Sequence, residues 1–344
     1  MRKIYYTLTA LTLSLTSCND LLDRMPDNRL VIDSPEKVQQ ALTNAYPQIA
    51  TTLINEFSSD NIDDIGADNI YSNFLTRETA YWQPILEYNN VDGLQNIWDY
   101  HYKAIGQANA ALDAIETTLH NDASLNPAKG EALVARAYAH FCLVNLFSQA
   151  YNPNTSSSDL GIPYITRPEE EMNPQRQRGT VAQVYQQIAA DLEKGLPLID
   201  DSYYQMPKYH FNKKAAYAFA ARFYLYYQQW QKALDAANVV LTTNDATTKN
   251  LVREWLDFRD AQKTGTRSIT AYAQAYARES EVANLMLQPV YSQLSTNYFI
   301  ETNQRFSHAY RVSEQETLST TNLWDANAAS KNNGYEFYWF MPFT

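Results

Sequence analysis

The stretch FNKKAAYAFAARFYLYYQQWQKALDAANVVL, residues 211–241, constrains the fold more than any other part of the chain. Tyr217, Ala221, Tyr224, Ala233 and Val240 fall at the spacing of a tetratricopeptide repeat. In such a repeat small residues let paired helices approach and large ones fill the groove between them. Asn212 is placed to cap the first helix, and WQKALDAANVVL supplies the second. Residues 131–147, EALVARAYAHFCLVNLF, resemble the first helix of another unit and residues 181–199 its partner, with a Pro/Ser-rich loop inserted between them. The same periodicity fits a plain helical bundle, and the solenoid is the preferred reading. Only 9 of 344 residues are glycine, well under the usual ~7%. Few glycines and many alanines favour helices over a turn-rich β architecture. The expected fold is therefore mainly α, with tetratricopeptide-like helix pairs in a solenoid supporting long irregular loops.

Ser34, Pro35 and Glu36 form a helix start: a cap, a first-turn proline and an acid at the positive end of the helix dipole. Val38, Leu42, Ala45, Ile49 and Leu53 then recur at helical spacing. Residues 55–91 lose that period and carry Asn, Asp, Tyr and Trp, as a long irregular excursion would, and such segments are more often functional than idle. A helix returns with Ile105, Ala108, Leu112, Ile115 and Leu119, and Asn126-Pro127 opens another that runs to about Phe147. Residues 150–179 are a Pro-, Ser- and Asn-rich loop. Thr180 and Gln183 make a capping box for the helix that follows. Beyond Thr243 the pattern weakens to a possible helix near 270–288 and a polar, aromatic-bearing tail.

The N-terminus reads as an address. Arg2 and Lys3 precede an uncharged run from Ile4 to Thr16, and Ser17 is a small residue before Cys18. That is the layout of a secretory signal, and the run is too short to cross a bilayer core of about 30 Å. Leu15-Thr16-Ser17-Cys18 resembles the lipobox of bacterial lipoproteins, which makes Cys18 the expected lipidation site. Anchoring by several acyl chains needs no membrane span. Cys142 then stands alone, which excludes a disulfide framework, and it reads as a small buried hydrophobe. The formal net charge of −11 argues against nucleic acid as a partner. The 26 Tyr and 6 Trp exceed what a core needs, so some are expected on a contact surface.

Six segments in order, SCNDLLDRMPDNRL, IWDYHYKAIGQANAALDAIE, EALVARAYAHFCLVNLF, GIPYITRPE, GTVAQVYQQIAADLEKGLPLI and FNKKAAYAFAARFYLYYQQWQKAL, resemble the RagB/SusD family over residues 17–241. The resemblance implies an outer-membrane surface lipoprotein that binds glycans, or sometimes peptides, as the lid of a SusC-like TonB-dependent transporter. It implies no enzymatic activity and no cofactor. It divides the chain into a signal peptide (1–17), a lipidated N-terminus and linker (18–34), a helical domain (35–243) and the start of a C-terminal region (244–344). That last region has no counterpart to the family's ELxxEG-type helix and ends on the apolar YWFMPF, so a truncated C-terminal region is expected.

Glycan binding needs flat apolar faces and a few orienting polar groups. In the excursion Tyr71, Tyr81 and Trp82 are the expected stacking residues, with Asn69, Asn73 and Arg77 hydrogen-bonding to hydroxyls. Trp324 and Asn327 form a second candidate group. Trp98, Tyr224 and Trp230 lie inside helices and read as structural. Asp60, Asp63, Asp64 and Asp68 offer hard oxygen ligands but lack EF-hand spacing, so a solvated loop is expected and no metal site. The five histidines lack zinc spacing, and there is neither a phosphate loop nor a G-x-S-x-G elbow.

Overall fold

A computed structural model describes residues 31–64, 66, 74–86, 90–169, 174–241, 248–253, 274–292 and 305–308. Helix α1 (Pro35–Leu42) starts as the sequence dictates, with the Ser34 hydroxyl accepting from the Lys37 backbone N–H. It ends at Leu42. Ala45, Tyr46 and Ile49 are buried outside any helix, and Leu53 belongs to the separate helix α2 (Thr52–Phe57). Pro47 explains the break: it has no N–H to donate and disfavours helical backbone at the preceding residue.

After strand β1 (Ile62–Asp64), helix α3 (Phe74–Ala80) lies within the stretch expected to be irregular. Helix α4 (Leu94–Asp113) begins earlier than its periodicity suggested, because its first turns bury only Ile97 and His101 among polar neighbours. It runs on into a π-helical turn, Ala114–Thr118. Helix α5 (Asn126–Phe147) opens on Asn126-Pro127 and is buried almost all round. Helix α6 (Val181–Gly195) carries the expected capping box, Thr180 N–H to Gln183 Oε1 at 2.9 Å and Gln183 N–H to Thr180 Oγ1 at 3.2 Å. Asn212 Oδ1 accepts from Ala215 N–H at 3.0 Å and starts α7 (Lys213–Tyr226), which a short turn joins to α8 (Trp230–Val240).

The fold is mainly helical. Helices α4 and α5, α5 and α6, and α7 and α8 pack as chain neighbours. Two of the few glycines make the α5–α6 approach possible. A Cβ on Gly130 would lie 2.8 Å from the Gly195 carbonyl oxygen, and one on Gly195 would lie 3.0 Å from that of Gly130. Between these helices Arg136 is gripped by Asp191 through two hydrogen bonds of 2.7 and 2.6 Å, and it also donates to Asn109 at 2.8 Å. Tyr164 donates to the same carboxylate at 2.6 Å and stacks on His140 at 3.8 Å. This network pins the GIPYIT loop to the helices. His140 stays neutral, its pKa pushed down to about 3 by burial.

Residues 274–276 are helical, but 278–290 form a strap of turns and irregular chain where a helix was expected. Besides turn bonds of its own, such as Glu281 N–H to the Arg278 carbonyl at 3.1 Å, it is bonded to other parts of the chain. Lys208 Nζ donates to the Glu281 carbonyl at 2.8 Å, Leu287 N–H to the Lys208 carbonyl at 2.7 Å, and Asn212 Nδ2 to the Leu285 carbonyl at 2.7 Å. Strand β2 (Phe306–His308) pairs antiparallel with β1, placing Asp64 opposite Phe306.

Trp98 packs against Tyr102 and Phe147, with ring centroids 4.9 and 5.0 Å apart, and Tyr224 is buried. Trp230 departs from the structural reading. It is 62% exposed, because α8 buries Ala236 and Val240 and turns its first residue away from that side. Burial pushes the Cys142 thiol up to about 11, as an inert hydrophobe requires. No helix among the described residues is long and apolar enough to cross a membrane.

Candidate functional site

A small apolar core lies under the site. Leu53, Ile54 and Phe57 of α2, Leu75 of α3, Ile97 of α4 and Phe306 of β2 are buried together. It fixes α3 by one face: Leu75, Thr76, Glu78 and Thr79 point inward. Phe74, Arg77 and Tyr81, at i, i+3 and i+7, therefore share the outer stripe. The Arg77 guanidinium lies 4.7 Å from the centroid of the Phe74 ring, a cation–π distance. Phe74 is 61% exposed and Tyr81 44%.

The end of α3 is unusual. Gln83 N–H donates to the Glu78 carbonyl at 2.8 Å and Trp82 N–H to that of Thr79 at 3.1 Å. Those two bonds define a Schellman closure, whose left-handed position is ordinarily glycine. Here Trp82 occupies it, with φ +54°. Left-handed backbone costs a residue bearing a Cβ roughly 1–2 kcal/mol, and for a bulky side chain it is an outlier. The indole gains little from packing in return, since Trp82 is 78% exposed. Glu78 holds the chain beyond it, accepting from Leu86 N–H at 2.9 Å.

Tyr81 is anchored rather than loose. Its hydroxyl donates to Asp64 Oδ2, and its ring meets the edge of Phe306 at 5.3 Å. Arg305 clasps the same carboxylate, Nε to Oδ1 at 2.9 Å and Nη2 to Oδ2 at 2.7 Å. The Arg305 hydrogen bonds hold the Asp64 carboxyl well below the usual carboxylate range, with the Tyr81 hydroxyl and the Gly66 N–H adding to them. The hydrogen bond to Asp64 in turn raises the Tyr81 phenol. Asp64 is thus a permanently ionised clamp and a poor general acid.

Of the expected ligand residues, Arg77 and Tyr81 share the outer stripe of α3, and Trp82 follows them, exposed, at its C-terminal end. Asn69, Tyr71, Asn73, Trp324 and Asn327 lie outside the described residues, as does Cys18. Three participants were not anticipated. Phe74 was legible as one stripe with Arg77 and Tyr81 had the helix been recognised. Arg305 and Phe306 carry no local signal, because they meet Asp64 and Tyr81 from more than 200 residues away. Asp64, considered only as an oxygen ligand for calcium, is engaged by Arg305, and the described residues hold no cluster of three metal-binding side chains.

Known proteins share this architecture. Residues 20–225 match the SusD-like family model described as starch-binding and associating with the outer membrane. The SusD-like protein P2 of Formosa agariphila is 24% identical over 283 residues, which are 77% of this chain and 51% of that protein. A SusD superfamily structure from Bacteroides thetaiotaomicron aligns with TM-score 0.53 and 25% identity, covering 66% of this chain and 49% of its own. A structure from Bacteroides vulgatus aligns with TM-score 0.58 at 17% identity over 89% of this chain and 71% of its own, a likeness of fold. The chain spans about half the length of the first two of these relatives. With a family model matched along more than half of its residues, the chain belongs to the SusD-like family.

Proposed function

We infer that the chain is a non-catalytic glycan-binding protein of the outer membrane, and that Phe74, Arg77, Tyr81 and Trp82 form part of its ligand face. The observation that carries this reading is Trp82: a strained backbone presents a large flat ring to solvent. Strain that persists without packing in return points to function. A sugar ring offers an apolar face to stack on such an indole, and its hydroxyls suit the Arg77 guanidinium and the Tyr81 oxygen. Asp64, held ionised by Arg305, is not the protonated carboxyl that glycoside hydrolysis needs.

In the fuller form of this reading, residues 1–17 are removed and Cys18 is acylated. The protein then passes captured glycan to a SusC-like TonB-dependent transporter. A peptide ligand is the second form, because the same aromatic face would accept one. Affinity electrophoresis in gels containing starch and other polysaccharides, beside titration with peptides, tests the ligand. Retardation by at least one neutral polysaccharide, weakened about tenfold by Tyr81→Ala with Trp82→Ala, is expected. Binding to no polysaccharide, even with the transporter present, would overturn the glycan reading. Palmitate labelling that Cys18→Ser abolishes is the expected result for the anchor.

A further inference from the structure

A cavity of about 400 Å³ opens between α7 and the strap, separate in its lining from the Trp82 face. On α7 its wall is Ala215, Ala218, Phe219 and Arg222, one stripe at i, i+3, i+4 and i+7. The strap contributes Ala283, Asn284, Leu285 and Met286, and the alanines on the two sides leave room between them. Its remaining walls include aromatic rings, Tyr138 and Phe211 on one side and Tyr276 on another.

The cavity is held in shape from both ends. The Lys208, Leu287 and Asn212 hydrogen bonds fix the strap against α7. Arg253 stacks on Tyr276 at 3.7 Å and donates to Asn284 Oδ1 at 2.6 Å, and its charge faces Glu281 Oε2 at 3.6 Å. Arg222 is different. It is exposed and forms no ion pair among the described residues. One guanidinium of the cavity is therefore compensated and the other is left over, in a chain whose net charge is −11.

We propose that this cavity is a second ligand site, for a small carboxylate borne on a flat ring. Arg222 supplies the planar fork that a carboxylate accepts through two parallel hydrogen bonds. The Tyr138 and Phe219 rings take the flat body, and the cavity's volume falls within the range of small-molecule pockets. The site is independent of the glycan face, so either can fail without the other.

Calorimetric titration of the whole chain with benzoate, glucuronate and the uncharged benzyl alcohol tests the proposal. Benzoate identifies an aromatic acid as the ligand type and glucuronate a sugar acid. Saturable binding of either one is expected, about tenfold tighter than benzyl alcohol and weakened about tenfold by Arg222→Gln. Because Arg222 is exposed, that variant keeps its melting temperature and its retardation by polysaccharide. Ala218→Leu, checked for native helicity by circular dichroism, fills the cavity and removes carboxylate binding. No saturable binding of either carboxylate, or equal affinity in Arg222→Gln, would overturn the proposal.

Discussion

Arg305 closes on Asp64 through two hydrogen bonds, 2.9 and 2.7 Å long, across 241 positions of sequence. That clasp joins β2 to β1 and sets the hydroxyl of Tyr81, so a late segment of the chain determines how an early one presents its aromatic residues.

Asp64→Asn is expected to loosen the clasp without unfolding the protein. Both side chains are partly exposed, which limits the loss of global stability to about 1 kcal/mol. Hydrogen exchange at residues 62–64 should rise and polysaccharide retardation should fall. In the parent protein, the folded-state acidity of Asp64 lies below that of the unfolded chain. Its contribution is therefore present above the ordinary carboxylate range, near pH 4, and disappears only as the pH falls further. Exchange at these residues followed from pH 7 to pH 3 checks the sign.

Acid should weaken the helical core by a different route. His101 is buried with Nδ1 2.7 Å from the Ile97 carbonyl oxygen, and burial pushes its pKa down to about 4. The unfolded chain takes up this proton near pH 6.5, so stability falls between pH 6.5 and about 4. The slope is about 1.4 kcal/mol per pH unit for each such histidine. His140 adds a second proton over a range reaching lower still. Urea unfolding at pH 7, 6 and 5 should show the decline, and His101→Gln should reduce the slope by one proton.

Removing one partner of the Arg136–Asp191 pair should be costly. Asp191→Asn leaves a buried guanidinium without its counter-charge and disturbs the Tyr164 hydroxyl as well. A loss of about 3–5 kcal/mol is expected by denaturant titration. Replacing the pair together, as Arg136→Met with Asp191→Leu, should cost less than the single change, because no charge is then left stranded.

The helices were legible where a local signal existed. Ser34, Thr180 and Asn212 cap as their side chains require, and Asn126-Pro127 opens α5. Helix α3 was hidden because its inward face carries Thr76, Glu78 and Thr79, so hydrophobic periodicity is weak where polar groups are buried. The strap near 281–287 was mistaken for a helix because nothing local reveals that its backbone bonds go to Lys208 and Asn212. Tyr81 and Trp82 were visible as candidate binding residues. Their setting, a clasp from Arg305 and a left-handed cap, depends on tertiary contacts and on one backbone angle that composition does not encode.

Trp82→Gly tests the central claim most directly, because it separates stability from binding at one residue. If the left-handed backbone is tolerated in order to present the indole, glycine relieves strain, and the variant should be more stable by up to about 1 kcal/mol. The same variant should lose most of its retardation in polysaccharide gels. A less stable Trp82→Gly protein that still binds polysaccharide as the parent does would contradict the account.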